Sequence, residues 1–168
     1  MSRPADGSAG RKIGGLAKSL SALPSEQKRA AVEISAALAA VSLRLSREFV
    51  EAVPAAAEIL SADELRVWAE LGRKLGMTNL ETGIAFFAEG AGALAGMSCA
   101  ARSFVLQTAM KQLVLSSSTA VETVRLAPKA AAALRDTTLA ERFFKLGLTI
   151  ANRSAKHSAD FLNPCEPV

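Results

Sequence analysis

The chain has 168 residues, half of them hydrophobic and 5% aromatic, with no tyrosine and a formal net charge of +4. Much of the apolar content is alanine, which favours helices and lets them approach closely. No segment shows the alternation of β-branched residues that is typical of strands. The composition therefore argues against a β-rich protein and predicts an all-α fold, in one domain with a substantial core.

The N-terminal region carries much of the positive charge but lacks residues that could pack. Residues 1–12 are mostly glycine, serine and charged side chains, so we expect a disordered basic tail there and a single helical-repeat domain over 13–168. Basic arms can bind nucleic acid. Here Asp6 and Glu26 lie among the basic residues, which favours a solvated tail and no nucleic-acid partner.

Cysteine usage and the N-terminal sequence bear on the compartment. Cys99 and Cys165 form neither a metal-binding spacing nor a disulfide framework, which indicates ordinary thiols in a reducing compartment. The start of the chain lacks the apolar core of a secretory signal, so we expect a cytoplasmic protein. The most apolar windows, 30–43 and 83–101, are short or interrupted by glutamate and glycine, and predict no membrane span.

From Ile13 onwards the chain resembles itself at an interval of 37 residues. Stacked helical units of this length bury a continuous core, so we expect an α-solenoid of about four repeats, similar to HEAT or armadillo proteins. A compact antiparallel helix bundle is the alternative. Residues that recur at this spacing and should form the core between repeats are Val50, Leu60, Trp68, Phe87, Met97, Val124, Leu134 and Phe143. Helix-start residues recur as Pro24, Ser61, Ser98 and Asp136.

Each repeat is expected to contain three helices. Pro54 and Pro128 are predicted to begin the brief second helix, because proline in a helix interior costs about 3 kcal/mol. The large apolar residue that recurs in each copy, such as Val50, Phe87 or Val124, is predicted to end the helix that precedes the brief one. The segment 161–164 resembles the opening of a fifth copy, so we expect a chain truncated there. The buried stripe of the last long helix is predicted to be Leu139, Phe143, Leu146 and Ile150.

The second copy has the clearest helix signals. Ser61 and Glu64 fit a capping box, which predicts a helix start. Gly76 suits the residue just after a helix end. Thr78 and Glu81 fit a second capping box that would begin the next helix.

The same copy carries a family resemblance. The pattern Leu60-Ser61-x-x-Glu64-Leu65-x-x-Trp68-Ala69-x-Leu71-Gly72, followed by a polar turn and Ala85-Phe86-Phe87, resembles the helical repeats upstream of the von Willebrand factor A domain in bacterial partners of MoxR-type AAA+ ATPases. Those proteins include activators of nitric oxide reductase and of Rubisco. The resemblance implies a helical scaffold with an AAA+ ATPase as a partner. The chain has no Asp-x-Ser-x-Ser segment, so it does not imply metal-dependent adhesion.

Residues that could support catalysis are isolated. The motif Gly90-x-Gly92-x-x-x-Gly96 lacks the βαβ units of a dinucleotide site, which favours a turn with close helix contact. His157 has no second histidine or nucleophile, and Cys99 has no basic partner, although a helix dipole could lower the pKa of its thiol. Ser116 is predicted to cap a helix. We therefore predict no enzyme, cofactor or metal site.

The predicted function is a non-enzymatic scaffold for protein–protein interaction, the usual role of an extended surface built from repeats. Trp68 is assigned to the core and not to the binding surface. The alternative is an alanine-rich protein that coats an apolar or membrane surface, which would need a continuous apolar face. The predicted partner-binding face consists of Arg66, Arg73, Lys74 and Lys111.

Overall fold

A computed structural model describes residues 17–162. The predicted tail over 1–12, Cys165 and most of the predicted fifth copy lie outside these residues. Over 17–162 all regular structure is helical and no strand occurs, which confirms the all-α class.

A short helical segment at 17–21 precedes the longer helices. The helices are α1 (Ser25–Ala39), α2 (Leu43–Ala57), α3 (Ala62–Thr78), α4 (Leu80–Glu89), a 3-10 helix (Ala91–Leu94), α5 (Cys99–Gln112), α6 (Ser117–Leu134), α7 (Thr137–Ala151) and α8 (Ala155–Leu162).

The helices are arranged as four consecutive pairs in two layers. Each odd-numbered helix packs against the even-numbered helix that follows it. In one layer α1 contacts α3, α3 contacts α5, and α5 contacts α7. In the other layer α2 contacts α4, the 3-10 helix contacts α6, and α6 contacts α8. Neighbours in each layer therefore follow chain order.

The residues that cap the helices recur with the pairs. Capping hydroxyl, carboxylate or amide oxygens satisfy free N–H groups at helix starts. The odd helices follow Pro24, Ser61, Ser98 and Asp136, as predicted, and all but the proline cap through their side chains. The even helices follow Ser42, Asn79, Ser116 and Ser154, a second column at the same spacing. The cap at Ser116 was predicted and is confirmed, but the sequence analysis did not identify the column as a whole. Each 37-residue interval therefore holds two long helices, and the prediction of three helices in each repeat was wrong.

The two prolines lie inside helices, so the prediction that they begin helices was wrong. Pro54 lies in the last turn of α2 and Pro128 lies in the second half of α6. Each proline removes one backbone donor. Around Pro54 the helix continues because Val53 and Ala56 are buried in the core and retain their packing only in helical conformation. Val50, predicted to end a helix, likewise lies inside α2.

The predicted end of α3 was also wrong. The helix continues through Gly76 to Thr78, and Asn79 caps α4 by accepting a hydrogen bond from the Thr82 N–H at 3.1 Å. The predicted second capping box of Thr78 and Glu81 was therefore wrong. Gly76 serves packing and does not end the helix. A Cβ atom added to Gly83 would lie 2.6 Å from the Gly76 Cα, so α3 and α4 cross in close contact at these two glycines. The capping box of Ser61 and Glu64 is confirmed.

An aromatic cluster from α2, α3 and α4 forms the centre of the core. Trp68 is fully buried, with its ring centroid 5.0 Å from that of Phe87 and 6.0 Å from that of Phe49. Its Nε1 has no hydrogen-bond partner among the described residues. Of the residues predicted for the core between repeats, Leu60, Trp68, Phe87, Met97 and Val124 are buried, and Val50, Leu134 and Phe143 are half-buried against the core.

The predicted stripe of α7 is displaced by one residue. Leu139 and Leu146 are each 49% exposed, so this prediction was wrong. Close approach of α8 selects the other face, because a Cβ on Gly147 would lie only 3.0 Å from Leu162. The buried face of α7 consists of Ala140, Phe144, Gly147 and Ala151.

Candidate interaction surface

Two of the four basic residues predicted to bind a partner are already paired within the chain. Arg66 lies 3.2 Å from Asp63 and 3.9 Å from Glu33. Arg73 donates two hydrogen bonds to Glu70, at 2.7 and 2.8 Å, and these lower the pKa of the Glu70 carboxyl. Their charges are therefore largely neutralised by neighbours.

The other two basic residues share a shallow groove. Lys74 and Lys111 are exposed, occupy equivalent places near the ends of α3 and α5, and make no ion pair with any described residue. Between them lie Val67, Gln107 and Met110. This groove combines uncompensated positive charge with apolar surface.

The two lysines of the groove lie on one edge of the two layers, where each odd helix ends and each even helix begins. We call the residues 37–46, 74–83, 111–120 and 149–158 the turn edge. Five basic residues and one acidic residue give this edge a net charge of +4, with histidine counted as neutral. The charged residues are Arg44, Lys74, Glu81, Lys111, Arg153 and Lys156.

The opposite edge, where even helices end and odd helices begin, has the reverse charge. We call the residues 18–27, 55–64, 92–101 and 130–139 the loop edge. Two basic and five acidic residues lie there, but one of the acidic residues, Glu64, is buried and paired with Arg102, so the exposed residues carry a net charge of −2. The charged residues are Lys18, Glu26, Glu58, Asp63, Glu64, Arg135 and Asp136.

Exposed apolar side chains also concentrate on the turn edge. It holds five of the eight exposed large hydrophobic residues of the described chain: Val41, Leu43, Met77, Val114 and Leu115. Leu43 is 79% exposed and Val114 is 80% exposed. The sequence carried a signal for three of them, because Val41, Val114 and Leu115 lie in the turns before Ser42 and Ser116.

At the loop edge a buried ion pair joins two helix pairs. Arg102 Nε lies 3.0 Å from Glu64 Oε1, and the Ser61 N–H donates to Glu64 Oε2 at 2.8 Å. Arg102 also donates to the Met97 carbonyl at 2.6 Å. Burial opposes ionisation of Glu64, but the hydrogen bonds from Arg102 and Ser61 outweigh it and lower the pKa of the carboxyl.

A buried polar network joins the last two helix pairs. Thr123 donates to Gln112 Oε1 at 2.6 Å, and Gln112 Nε2 donates to Ser158 Oγ at 3.2 Å. Ser158 in turn donates to the Gly147 carbonyl at 3.1 Å. Every side-chain polar group of this network has a partner, so it fixes how α8 sits against α5 and α6.

The isolated residues considered from the sequence do not converge. His157 is exposed on α8. Cys99 follows the cap of α5, as predicted, but burial and the nearby Glu64 raise the pKa of its thiol, opposite to the expected effect of the dipole. Gly90 makes the predicted turn with φ of +71°, whereas Gly92 has no close neighbour. Over 17–162 no cluster of three or more acidic, His or Cys side chains could hold a metal ion.

The described helices include none that is long and apolar enough to cross a membrane, in agreement with the expected lack of a span. Comparisons of the chain with protein-family models, with curated proteins and with solved structures found no match. The resemblance to the helical region of MoxR partners therefore stays a prediction from the sequence pattern.

Proposed function

We propose that the chain is a non-enzymatic α-solenoid of about four helix pairs that binds an acidic segment of another protein along its turn edge. The order of helix contacts supports the solenoid. Each of the stronger contacts joins helices of the same pair or of successive pairs. A compact bundle would favour strong contacts between the first and last pairs as well.

Small residues recur where the two helices of a pair cross, which also supports a repeated unit. Ser46 donates to the Ser35 carbonyl at 2.8 Å, and Ser158 makes the equivalent bond to Gly147 in the last pair. Small side chains let helix backbones approach closely. Small residues occupy the same two positions in all four pairs: Ser35 and Ser46, Gly72 and Gly83, Ala109 and Ala120, and Gly147 and Ser158.

The separation of charge between the two edges is the observation that carries the binding proposal. Lys74 and Lys111 keep their charge uncompensated by the described residues, while the opposite edge is acidic. Complementary potentials steer a partner and exclude like-charged surfaces. The exposed Leu43 and Val114 supply apolar area that only a bound partner would remove from water. A segment with carboxylates around apolar anchors fits both features.

The test is a charge reversal with a matched control. Tagged wild-type protein captures its partner from cells, and the purified partner is then titrated with each variant by calorimetry. Lys74→Glu with Lys111→Glu should weaken binding by at least about tenfold, since two charge contacts are reversed. Lys18→Glu with Lys129→Glu makes the same change in net charge on exposed lysines elsewhere and should leave the affinity unchanged. Equal weakening by both variants would contradict the proposal.

The solenoid itself is tested by small-angle scattering. A stack of four pairs gives an elongated particle, whereas a bundle of the same mass gives a compact one. A globular scattering profile would therefore contradict the stack. The family resemblance predicts a MoxR-type AAA+ ATPase as the partner. A purified ATPase of this type is therefore also titrated by calorimetry with the wild type and the charge-reversal variants.

A second candidate function is attachment to an apolar or anionic membrane surface. The exposed Leu43 and Val114 lie on the turn edge, which also carries Lys74 and Lys111, and exposed apolar and cationic side chains on one surface also suit a lipid interface. Co-sedimentation with anionic vesicles, lost in Leu43→Glu with Val114→Glu, would favour this function over protein binding. Phe86 and Phe87 are unsuitable for such a test because both are buried.

A further inference from the structure

The face of α7 that points away from α5 lacks the cover that its equivalents have. Leu139 and Leu146 are each 49% exposed. Aligned at the 37-residue interval, with one extra residue before the fourth pair, the residues equivalent to Leu146 in the two preceding pairs are Thr108 and Leu71, and both are buried. In the described chain no helix follows α7 in this layer, so its apolar residues face solvent.

The opposite end of the layer shows the complementary exposure. Val32 on α1 is 63% exposed. Its equivalents in the later pairs are Ala69, Leu106 and Phe144, which are at most 2% exposed. Leu106 lines a depression together with Glu64 and Val67 of α3, so this position lies toward the preceding odd helix. In the described chain only the short helical segment at 17–21 precedes α1, and it leaves Val32 exposed.

We propose that the exposed face of α7 binds the exposed face of α1 in a second copy of this chain. The inference rests on the proposed stack of helix pairs but concerns a different surface from the turn edge. The two faces are the two halves of a contact that already occurs three times within the chain, between α1 and α3, α3 and α5, and α5 and α7. A second copy therefore supplies the missing half in the same geometry.

Charges at the N-terminal ends of the two helices agree with this pairing. Within the chain Ser98 donates to Glu141 at 2.6 Å. The equivalent residues at the junction of two copies are Asp136 and Arg29, which carry opposite charges. At the junction, an ion pair between Asp136 and Arg29 would therefore take the place that the hydrogen bond from Ser98 to Glu141 has within the chain.

A second charge pair lies further along the same helices. Val67 and Gln107 line one depression between α3 and α5. Their equivalents at the junction are Arg142 and Glu33, again of opposite sign. One pair of charges at the junction is unfavourable. Within the chain Glu33 of α1 lies 3.9 Å from Arg66 of α3. At the junction the same two places hold Lys145 of one copy and Arg29 of the other, which carry like charges.

The contact is heterologous, because one end of a copy binds the other end of the next. Such contacts generate open filaments when the rotation between copies does not close a ring. An open assembly of any length retains one free α7 face at one end and one free α1 face at the other. Association should therefore continue to higher mass as the concentration rises, without stopping at a dimer.

Sedimentation velocity on the full chain tests the proposal, over concentrations from about 1 μM to about 1 mM. The wild type should show a weight-average sedimentation coefficient that rises steadily. Leu146→Glu blocks the α7 face and Val32→Glu blocks the α1 face, so each variant alone should remain monomeric. An equimolar mixture should form a one-to-one dimer and nothing larger, because it contains one intact face of each kind.

Val114→Glu places the same charge on an exposed apolar residue of the turn edge and should associate as the wild type does. Circular dichroism and the emission of the buried Trp68 confirm that each variant is folded. A monomeric wild type over the whole range would overturn the proposal, and so would association of Val32→Glu alone. These results are independent of partner binding, so a failed partner titration leaves them unaffected.

Discussion

Glu64 caps its own helix and at the same time binds Arg102 of the next helix pair, with Glu64 Oε1 and Arg102 Nε 3.0 Å apart. The Glu64 side chain is 4% exposed and the Arg102 side chain is 14% exposed. One side chain thus fixes the start of α3 and its contact with α5. The two roles depend on the same ionised group.

Loss of Arg102 should therefore destabilise the fold. Arg102→Met leaves Glu64 charged and buried, with only its cap partners, and we expect the free energy of unfolding to fall by about 3 kcal/mol. Urea unfolding followed by Trp68 emission measures the change. Arg125→Met is the control, because the pair of Arg125 and Glu89 is exposed and should contribute less than about 1 kcal/mol. Equal losses in the two variants would contradict this account.

The lowered pKa of Glu64 predicts a dependence of stability on pH. Near the ordinary carboxyl pKa of 4.5 the unfolded chain binds more protons at this residue than the folded chain. Its contribution is therefore present above that pH and is lost as the pH falls through the lower folded pKa. The free energy of unfolding should fall less steeply below about pH 4.5 in Glu64→Gln than in the wild type. Identical slopes would show that Glu64 has the same pKa in both states.

The crossing of α3 and α4 should tolerate no side chain at Gly83. A Cβ there would lie 2.7 Å from the Gly76 N, which is backbone and cannot move aside. Alanine favours the helix, yet we expect Gly83→Ala to destabilise the protein by about 1–3 kcal/mol through overpacking. Gly92→Ala has no atom within 4 Å of the added Cβ and should change the unfolding midpoint little. A stabilised Gly83→Ala would mean that the helices lie further apart.

The buried network around Gln112 should show coupling. Gln112→Leu places at this position the residue that the first two pairs have, Leu38 and Leu75, but leaves the Thr123 hydroxyl without its acceptor. We expect a loss of about 1–3 kcal/mol. Adding Thr123→Val removes the unpaired hydroxyl and should recover part of it, which a double-mutant cycle in urea measures. Strict additivity would argue against the observed hydrogen bond.

The periodic features of the fold were largely predictable from the sequence. Capping residues are short polar side chains with a local role, so Ser61, Ser98 and Asp136 marked helix starts without knowledge of tertiary structure. The positions of the prolines were predicted wrongly because the cost of proline in a helix interior was considered without the packing of the surrounding residues. Burial around Pro54 keeps α2 continuous, and only the tertiary structure shows that burial.

Features that depend on distant residues were not predictable. Arg102 gave no sequence signal as the partner of Glu64, since 38 residues separate them. The partners of Arg66 and Arg73 were different, because Asp63 and Glu70 each lie three residues earlier on the same helix and could have been found from the sequence. Of the four predicted residues, Lys74 and Lys111 keep their charge free of described partners. The acidic and basic residues that define the two edges are far apart in sequence, and only the layered arrangement places them on opposite sides.

Site-specific photo-crosslinking from the two edges tests the central claim most directly. A photoreactive amino acid is placed at the exposed Leu43 or Val114 of the turn edge, or at the exposed Ala95 or Thr138 of the loop edge. The purified partner should cross-link to the two turn-edge positions through an acidic segment, and the yield should fall as salt screens the lysines. Cross-links from Ala95 or Thr138 with none from Leu43 or Val114 would contradict the assignment of the turn edge as the binding surface.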